Sequence, residues 1–145
     1  MDPDAAAEYM VQQIFARAFP PGSRVTERDI AEACACTHAF ARNVIHRLQI
    51  LGAVRFSSRR GAAVLGPADF REEEVTRVWS VMLPLLERKA KRPYAEPGAA
   101  RSGYARRLAV RAELDRLGRK AGDPRLTELL QRIALQRLIL QEVPG

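Results

Sequence analysis

Apolar residues recur every three or four positions along most of this 145-residue chain, and the pattern predicts a succession of short amphipathic helices. The first helix is predicted over residues 5–18, and the Pro-Pro-Gly sequence at 20–22 ends it. Thr26 and Asp29 then form a Thr-x-x-Asp capping box, which predicts a second helix that runs to about Cys34.

A third helix is predicted over residues 37–51, and Gly52 supplies its stop. Its apolar positions have the i, i+3, i+4, i+7 spacing of a helix with one buried side: Ala41, Val44, Ile45 and Leu48. Residues 54–57 alternate like a strand, and after a turn at 58–61 the chain returns as a second strand over 62–65. Helix, turn, helix and hairpin in this order predict a winged helix-turn-helix.

The Gly66-Pro67 sequence is the clearest boundary, so we expect one domain over residues 1–66 and another over 67–145. Three helices are predicted beyond it: one capped by Asp69, one over residues 99–117, and one from Asp123-Pro124 to about Gln141. The first of these has a regular apolar side: Val75, Val78, Trp79, Met82 and Leu86. The last has more apolar positions than one narrow stripe holds, so its own domain or a partner should surround it. The expected fold class is mainly α with a small β-hairpin wing, a winged helix-turn-helix followed by a short helical bundle.

The chain carries a formal net charge of +7 and a sequence pI of about 10.2, which favours an anionic partner, nucleic acid first. The buried stripe of the third helix turns a row of long hydrogen-bond donors outward: His38, Arg42, His46 and Gln49. Thr37 and the first backbone amides of that helix attract a phosphate, while Arg59 and Arg60 form the tip of the wing. Every surface helix has a polar side, so it is the combination of turn, caps and basic wing that predicts contact with double-stranded DNA.

Other chemistries have weaker support in the sequence. His38 and His46 lie two helical turns apart with no acid or thiolate at ligand spacing, so we expect no bound metal. Cys34 and Cys36 are expected to be free thiols in a reducing cytoplasm. No apolar run approaches the roughly 18–20 residues of a membrane span, and the acidic N-terminus is not typical of a secretory signal. No nucleophile elbow, phosphate-binding glycine loop or paired-carboxylate signature is present, so we expect a cytoplasmic protein without catalytic residues, cofactors or enzymatic activity.

Three segments of the N-terminal half resemble the DNA-binding domain of GntR-family bacterial transcription regulators: PGSRVTERDIAEA, THAFARNVIHRLQILG and the wing sequence RRGAAV. The match covers about residues 8–66. The resemblance implies that Arg28 is a DNA-contacting arginine and that Gly61 is the wing glycine that enters the minor groove. It also implies a set of contact residues on the recognition helix: Thr37, His38, Ala39, Phe40 and Arg42. The chain departs from the family at the turn, where His38 stands in place of an arginine that commonly contacts guanine.

The second half is similar, more weakly, to the all-helical effector domain of the FadR subfamily, through the segment AGDPRL at 121–126. In many members this segment follows a D-x-x-F-H motif whose Asp and His bind a metal, and Val110 and Leu114 occupy those two positions here. The family domain has about twice as many helices as this chain has room for. We therefore expect a truncated, divergent effector or dimerisation-like domain without metal ligands.

Two functional hypotheses of different classes follow. The first is a sequence-specific transcriptional regulator, most often a repressor in such families, that binds a promoter operator as a homodimer held by its C-terminal helices. The surface for the second copy would include the last helix and Trp79. The alternative is a winged-helix architectural or protein-interaction module with weak, non-specific DNA binding. The sequence leaves open the operator, the pathway, the existence of a small-molecule effector, the choice between activation and repression, and whether a longer regulator contains this chain.

Overall fold

The computed structural model describes residues 1–59, 61–98 and 101–143, and contacts divide them into two compact units, Met1–Asp69 and Phe70–Val143. Helices dominate both units, and the three strands of the described residues form one antiparallel sheet in the first unit. This architecture confirms the predicted fold class, a winged helix-turn-helix with a helical bundle after it in the chain.

The first unit has the element order of a winged helix. Its elements are α1 (Pro3–Phe15), β1 (Arg24–Val25), α2 (Glu27–Cys34), α3 (His38–Leu51), β2 (Val54–Ser57) and β3 (Gly61–Val64), then a 3-10 turn at Pro67–Asp69. The strands lie in the order β1-β3-β2, and both outer strands run antiparallel to β3. The sequence pattern does not predict β1, and β3 begins one residue earlier than the pattern indicates.

α1 begins and ends earlier than the predicted residues 5–18. Asp2 caps it, because its Oδ1 accepts a hydrogen bond from Ala5 N at 2.7 Å, and Pro3 follows as the first helical residue. Arg17 has a φ of +65°, a left-handed conformation that is incompatible with a continuing α-helix. The chain therefore leaves the helix before it reaches the Pro-Pro-Gly sequence.

Local caps and a buried stripe hold α2 and α3 in place. The predicted capping box is confirmed, since Thr26 Oγ1 accepts from Asp29 N at 3.0 Å and Asp29 Oδ2 accepts from Thr26 N at 2.8 Å. The α3 stripe is also confirmed: Ala41, Val44 and Leu48 are fully buried, and Ile45 is half-buried. Because burial of one such aliphatic side chain stabilises the fold by roughly 1.5–3 kcal/mol, the stripe determines which side of α3 faces solvent.

The second unit is a bundle of three helices, α4 (Glu72–Ala90), α5 (Gly103–Ala121) and α6 (Pro124–Glu142), each packed on the other two. The predicted start of α6 is confirmed, because Asp123 Oδ1 accepts from Leu126 N at 3.1 Å ahead of the proline. α5 starts later than predicted and ends later, and residues 99–100 lie outside the described ranges.

The predicted cap of α4 is wrong. Asp69 belongs to the 3-10 turn, and its Oδ2 accepts from Gly66 N at 2.8 Å, so it closes the turn after the wing instead. α4 begins at Glu72 without a side-chain cap, and three glutamates in its first turn complement the helix dipole. The predicted apolar side is correct for Val75, Trp79 and Leu86, which are buried, and wrong for Val78, which is exposed.

Candidate nucleic-acid interface

The outward side of α3 is the centre of the candidate interface. The long donors predicted for this side are all exposed: His38, Arg42, His46 and Gln49. Ala39 is exposed as well, and Phe40 is half-buried. No aspartate or glutamate occurs between His38 and Leu51, so the helix presents imidazole, guanidinium and amide groups without an intervening carboxylate of its own.

The start of α3 is open to solvent and suits an anion. Thr37 is exposed, and its Oγ1 accepts a hydrogen bond from Phe40 N at 3.1 Å, which satisfies one backbone donor of the first turn. The first turn has no acidic residue. The partial positive charge of the helix N-terminus is therefore not offset by a carboxylate in the first turn.

Two of the predicted contact arginines form ion pairs with nearby glutamates. Arg42 Nε lies 3.2 Å from Glu27 Oε2, which joins α3 to the first residue of α2, and Arg28 Nε lies 3.1 Å from Glu32 Oε1. The Arg42 and Arg28 side chains remain 66% and 81% exposed in these pairs. Exposed pairs of this kind contribute at most about 1 kcal/mol, so a phosphate or base edge can compete for either arginine.

The wing brings a cation and a glycine to its tip. Arg59 is exposed in the turn after β2, and Arg60 lies outside the described residues. Gly61 opens β3 with a φ of +69°, a conformation that favours glycine. A β-carbon built at Gly61 would meet no atom within 4 Å, so the backbone there is open to a ligand.

Two further arginines lie exposed on the sheet of the same unit and were not among the predicted contacts. The register pairs Arg24 of β1 and Arg55 of β2 with the same residue of β3, Ala63, so both arginines are on one face of the sheet. Both side chains are exposed, and Arg55 Nη1 lies 3.8 Å from Asp69 Oδ1. The alternation of residues 54–57 could have identified Arg55. Arg24 requires knowledge of β1, which is too short to show a period.

The described residues contain no group of three or more histidine, cysteine, aspartate or glutamate side chains placed to hold a metal ion. Cys34 and Cys36 are both free thiols. Burial and the neighbouring Cys36 raise the pKa of Cys34 above its ordinary value, which disfavours the reactive thiolate. Within the same residues, every helix is too short or too polar to cross a bilayer.

The second unit has an open pocket of about 480 Å³ where α5 ends and α6 begins. Its charged lining residues are mainly carboxylates: Asp115, Asp123 and Glu128, with Arg119. This acidic lining disfavours a phosphate group, in contrast to the outward side of α3, which has no acidic residue of its own.

Comparison with solved structures finds the same fold in E. coli McbR/YncC, a GntR-family regulator. The two chains align with a TM-score of 0.56 and 15% sequence identity over 94% of this chain and 72% of the other. No family model and no curated protein matches the sequence. At this identity the likeness shows that the chain has a GntR-like fold.

Proposed function

We propose that this protein is a sequence-specific DNA-binding transcriptional regulator of the GntR type that inserts α3 into the major groove of double-stranded DNA. The proposal rests on one observation above all: α3, seated by its buried stripe, turns a row of exposed donors to solvent and has no acidic residue of its own. The GntR-like fold supports it, because the same fold occurs in a regulator.

The contacts divide into those that position the protein and those that read bases. Thr37 and the amides of the first turn of α3 bind a phosphate, and Arg28 binds a second one from α2. His38 and Arg42 reach base edges in the major groove, with His46 further along the same side. Ala39 and Phe40 offer apolar contact to a thymine methyl group. The wing completes the footprint with Arg59, Arg60 and Gly61 in the neighbouring minor groove.

Glu27 prepares Arg42 for this role. The ion pair between them holds the guanidinium on the outer side of α3 through its Nε, and the terminal nitrogens of Arg42 make no hydrogen bond to any described residue. A guanidinium oriented in this way can present its terminal nitrogens to the O6 and N7 atoms of guanine. Because the pair is exposed, its loss on binding costs little.

The second unit fits the dimerisation part of such a regulator. We propose that residues 1–66 form the DNA-binding domain, and that residues 67–145 form a truncated, FadR-like domain that joins two copies through its helices. Two recognition helices related by a two-fold axis would then read two half-sites. Occupancy of a promoter operator by this dimer would repress transcription without any chemical step.

The test is selection of bound sites from a random DNA pool, followed by gel-shift titration of the selected sequence with Arg42→Ala. We expect the substitution to weaken binding by about 1–3 kcal/mol, as for the loss of a good base or phosphate contact. Arg125→Ala, an exposed arginine at the start of α6, is the matched control and should leave affinity unchanged. Equal affinity of the wild type and Arg42→Ala would contradict the assignment of α3.

The same titrations separate the regulator from the architectural alternative. A regulator should bind its selected sequence at least about 10³-fold more tightly than random DNA at physiological salt. A ratio near one, with a steep fall in affinity as salt rises, would identify a non-specific module instead.

A further inference from the structure

α4 leaves a stripe of apolar side chains uncovered. Val78, Val81 and Leu85 are 38%, 62% and 42% exposed, although the opposite part of the same helix is buried in the bundle. At about 100° per residue, the centre of the stripe lies roughly 105° around the helix from the side of Val75 and Trp79. The exposed apolar residues are therefore a second, separate face of α4, and the bundle of this chain does not cover it.

The face continues at both ends into charged residues with the spacing of a coiled-coil seam. Glu74, Val78, Val81, Leu85 and Arg88 follow one another at intervals of four, three, four and three residues. All five are exposed. A repeat that averages 3.5 residues keeps side chains in line along a partner helix, whereas a solvated helix face has no need of this regularity.

The seam is complementary to a reversed copy of itself. Its central residue, Val81, is also the midpoint of α4 (Glu72–Ala90). When two such helices pair antiparallel about Val81, each Glu74 lies opposite Arg88 of the other copy, and Val78 lies within one residue, about 1.5 Å along the axis, of the level of Leu85. The charge distribution of the whole helix agrees, because three glutamates occupy its first turn and Arg88 and Lys89 occupy its last.

Most of the apolar surface that the sequence suggested for dimerisation is buried within the unit. Trp79 is buried, with the Tyr94 ring edge-on at a centroid distance of 5.5 Å and the guanidinium carbon of Arg137 at 4.2 Å from the ring centroid. The main apolar residues of α6 are buried as well: Leu130, Leu135, Leu138 and Ile139. The expectation that a partner covers Trp79 is therefore wrong. For α6, its own unit buries these four residues and leaves Leu129 48% exposed.

We propose that two copies of this chain associate through α4, paired antiparallel across a two-fold axis at Val81. This inference assigns a surface to the dimer of the proposed function. The role of the dimer in DNA binding rests on that function, whereas the contact between the two helices does not. The seam between Glu74 and Arg88 is about 21 Å long at 1.5 Å per residue. An interface of this size belongs to the weaker class, so association should depend on protein concentration.

Sedimentation of the full chain without DNA tests the surface. We expect the wild type to pass from monomer to dimer as concentration rises, and Val81→Glu to raise the dissociation constant by at least about tenfold, because two like charges meet at the axis. Leu129→Glu, at a residue 48% exposed on α6, is the matched control and should dimerise like the wild type. A wild type that stays monomeric at its highest soluble concentration, or equal weakening by both substitutions, would overturn the proposal.

A charge exchange tests the antiparallel register. Glu74→Arg and Arg88→Glu should each weaken the dimer, since each places like charges opposite one another, whereas the double variant should restore wild-type association. A double variant as weak as the single ones would overturn the register. The dimer masses are measured without DNA, so a negative result would overturn the α4 interface and would not bear on DNA binding by α3. A negative Arg42→Ala result would overturn DNA binding by α3 and would not bear on the α4 interface.

Discussion

Glu113 of α5 is a carboxylate that the second unit buries to 3% exposure, and its partners account for the burial. Arg92 donates to it through both terminal nitrogens, at 2.9 and 3.1 Å, and Ala95 N donates at 2.6 Å. The hydrogen bonds from Arg92, and after them the one from Ala95, hold the pKa of Glu113 below its ordinary value. This one side chain therefore ties the segment that follows α4 to the middle of α5.

Glu113→Gln should lower the free energy of unfolding by about 1.5–3 kcal/mol at pH 7, the range for hydrogen bonds to a charged group. A carboxyl group whose pKa is lower in the folded state than in the unfolded state stabilises the fold at pH values above its unfolded pKa. This contribution disappears as pH falls through its folded pKa. The difference between wild type and variant should thus shrink as pH falls below about 4.3. Urea denaturation at a series of pH values measures this, with the exposed Glu128→Gln as control. A difference that does not change with pH would contradict the role given to the carboxylate.

At the scale of single elements, close approach matters as much as hydrogen bonding. Gly118 of α5 packs against Thr127 of α6, and a β-carbon built on the glycine would overlap the threonine side chain. In an open helix, glycine to alanine stabilises by up to about 1 kcal/mol. Gly118→Ala should instead lower the unfolding free energy by roughly 1–3 kcal/mol, the cost of overpacking.

Thermal or urea unfolding of the wild type, the two single variants and the double variant measures this effect. Gly118→Ala alone should be destabilised, and Gly118→Ala combined with Thr127→Gly should be destabilised less than the sum of the two single changes, because the second change removes the overlap. Additive effects would indicate that the two helices do not meet at this pair.

Elements whose signals are local could be predicted from the sequence, and those that depend on a distant partner could not. The Thr26–Asp29 box and the Asp123 cap were predictable because each needs only four residues. β1 consists of two residues that become a strand only through β3. Val78 fits the helical spacing of the buried side as well as that of the outer seam, so the pattern alone assigns it wrongly.

The residues of the candidate interface also separate into those that the sequence could predict and those that it could not. The exposed side of α3 was predictable, because a single buried stripe determines it. The row formed by Arg24 and Arg55 was not, because it exists only through the register of both strands with Ala63. Periodicity along one helix is local information, whereas neighbours across a sheet are not.

At the scale of the whole molecule, a net charge of +7 attracts any DNA and cannot by itself select a sequence. Selectivity must come from the few side chains that α3 presents and from the pairing of two copies. These two sources make different demands on the DNA, since α3 reads one half-site and the pair of copies requires two.

DNA that carries two copies of the selected half-site, with centres about 10 base pairs apart, should therefore bind the wild type at least about tenfold more tightly than DNA with one half-site. Val81→Glu should abolish this preference and leave affinity for the single half-site unchanged, because it alters only contact between copies. Arg42→Ala should weaken binding to both DNAs.

Fluorescence anisotropy titrations with both duplexes measure the affinities of all three proteins. The titrations are repeated with several distances between the two half-sites, so that the result does not depend on one spacing. A wild type without preference at any spacing would show that each copy binds alone, and a Val81→Glu variant that keeps the preference would place the contact between copies on another surface.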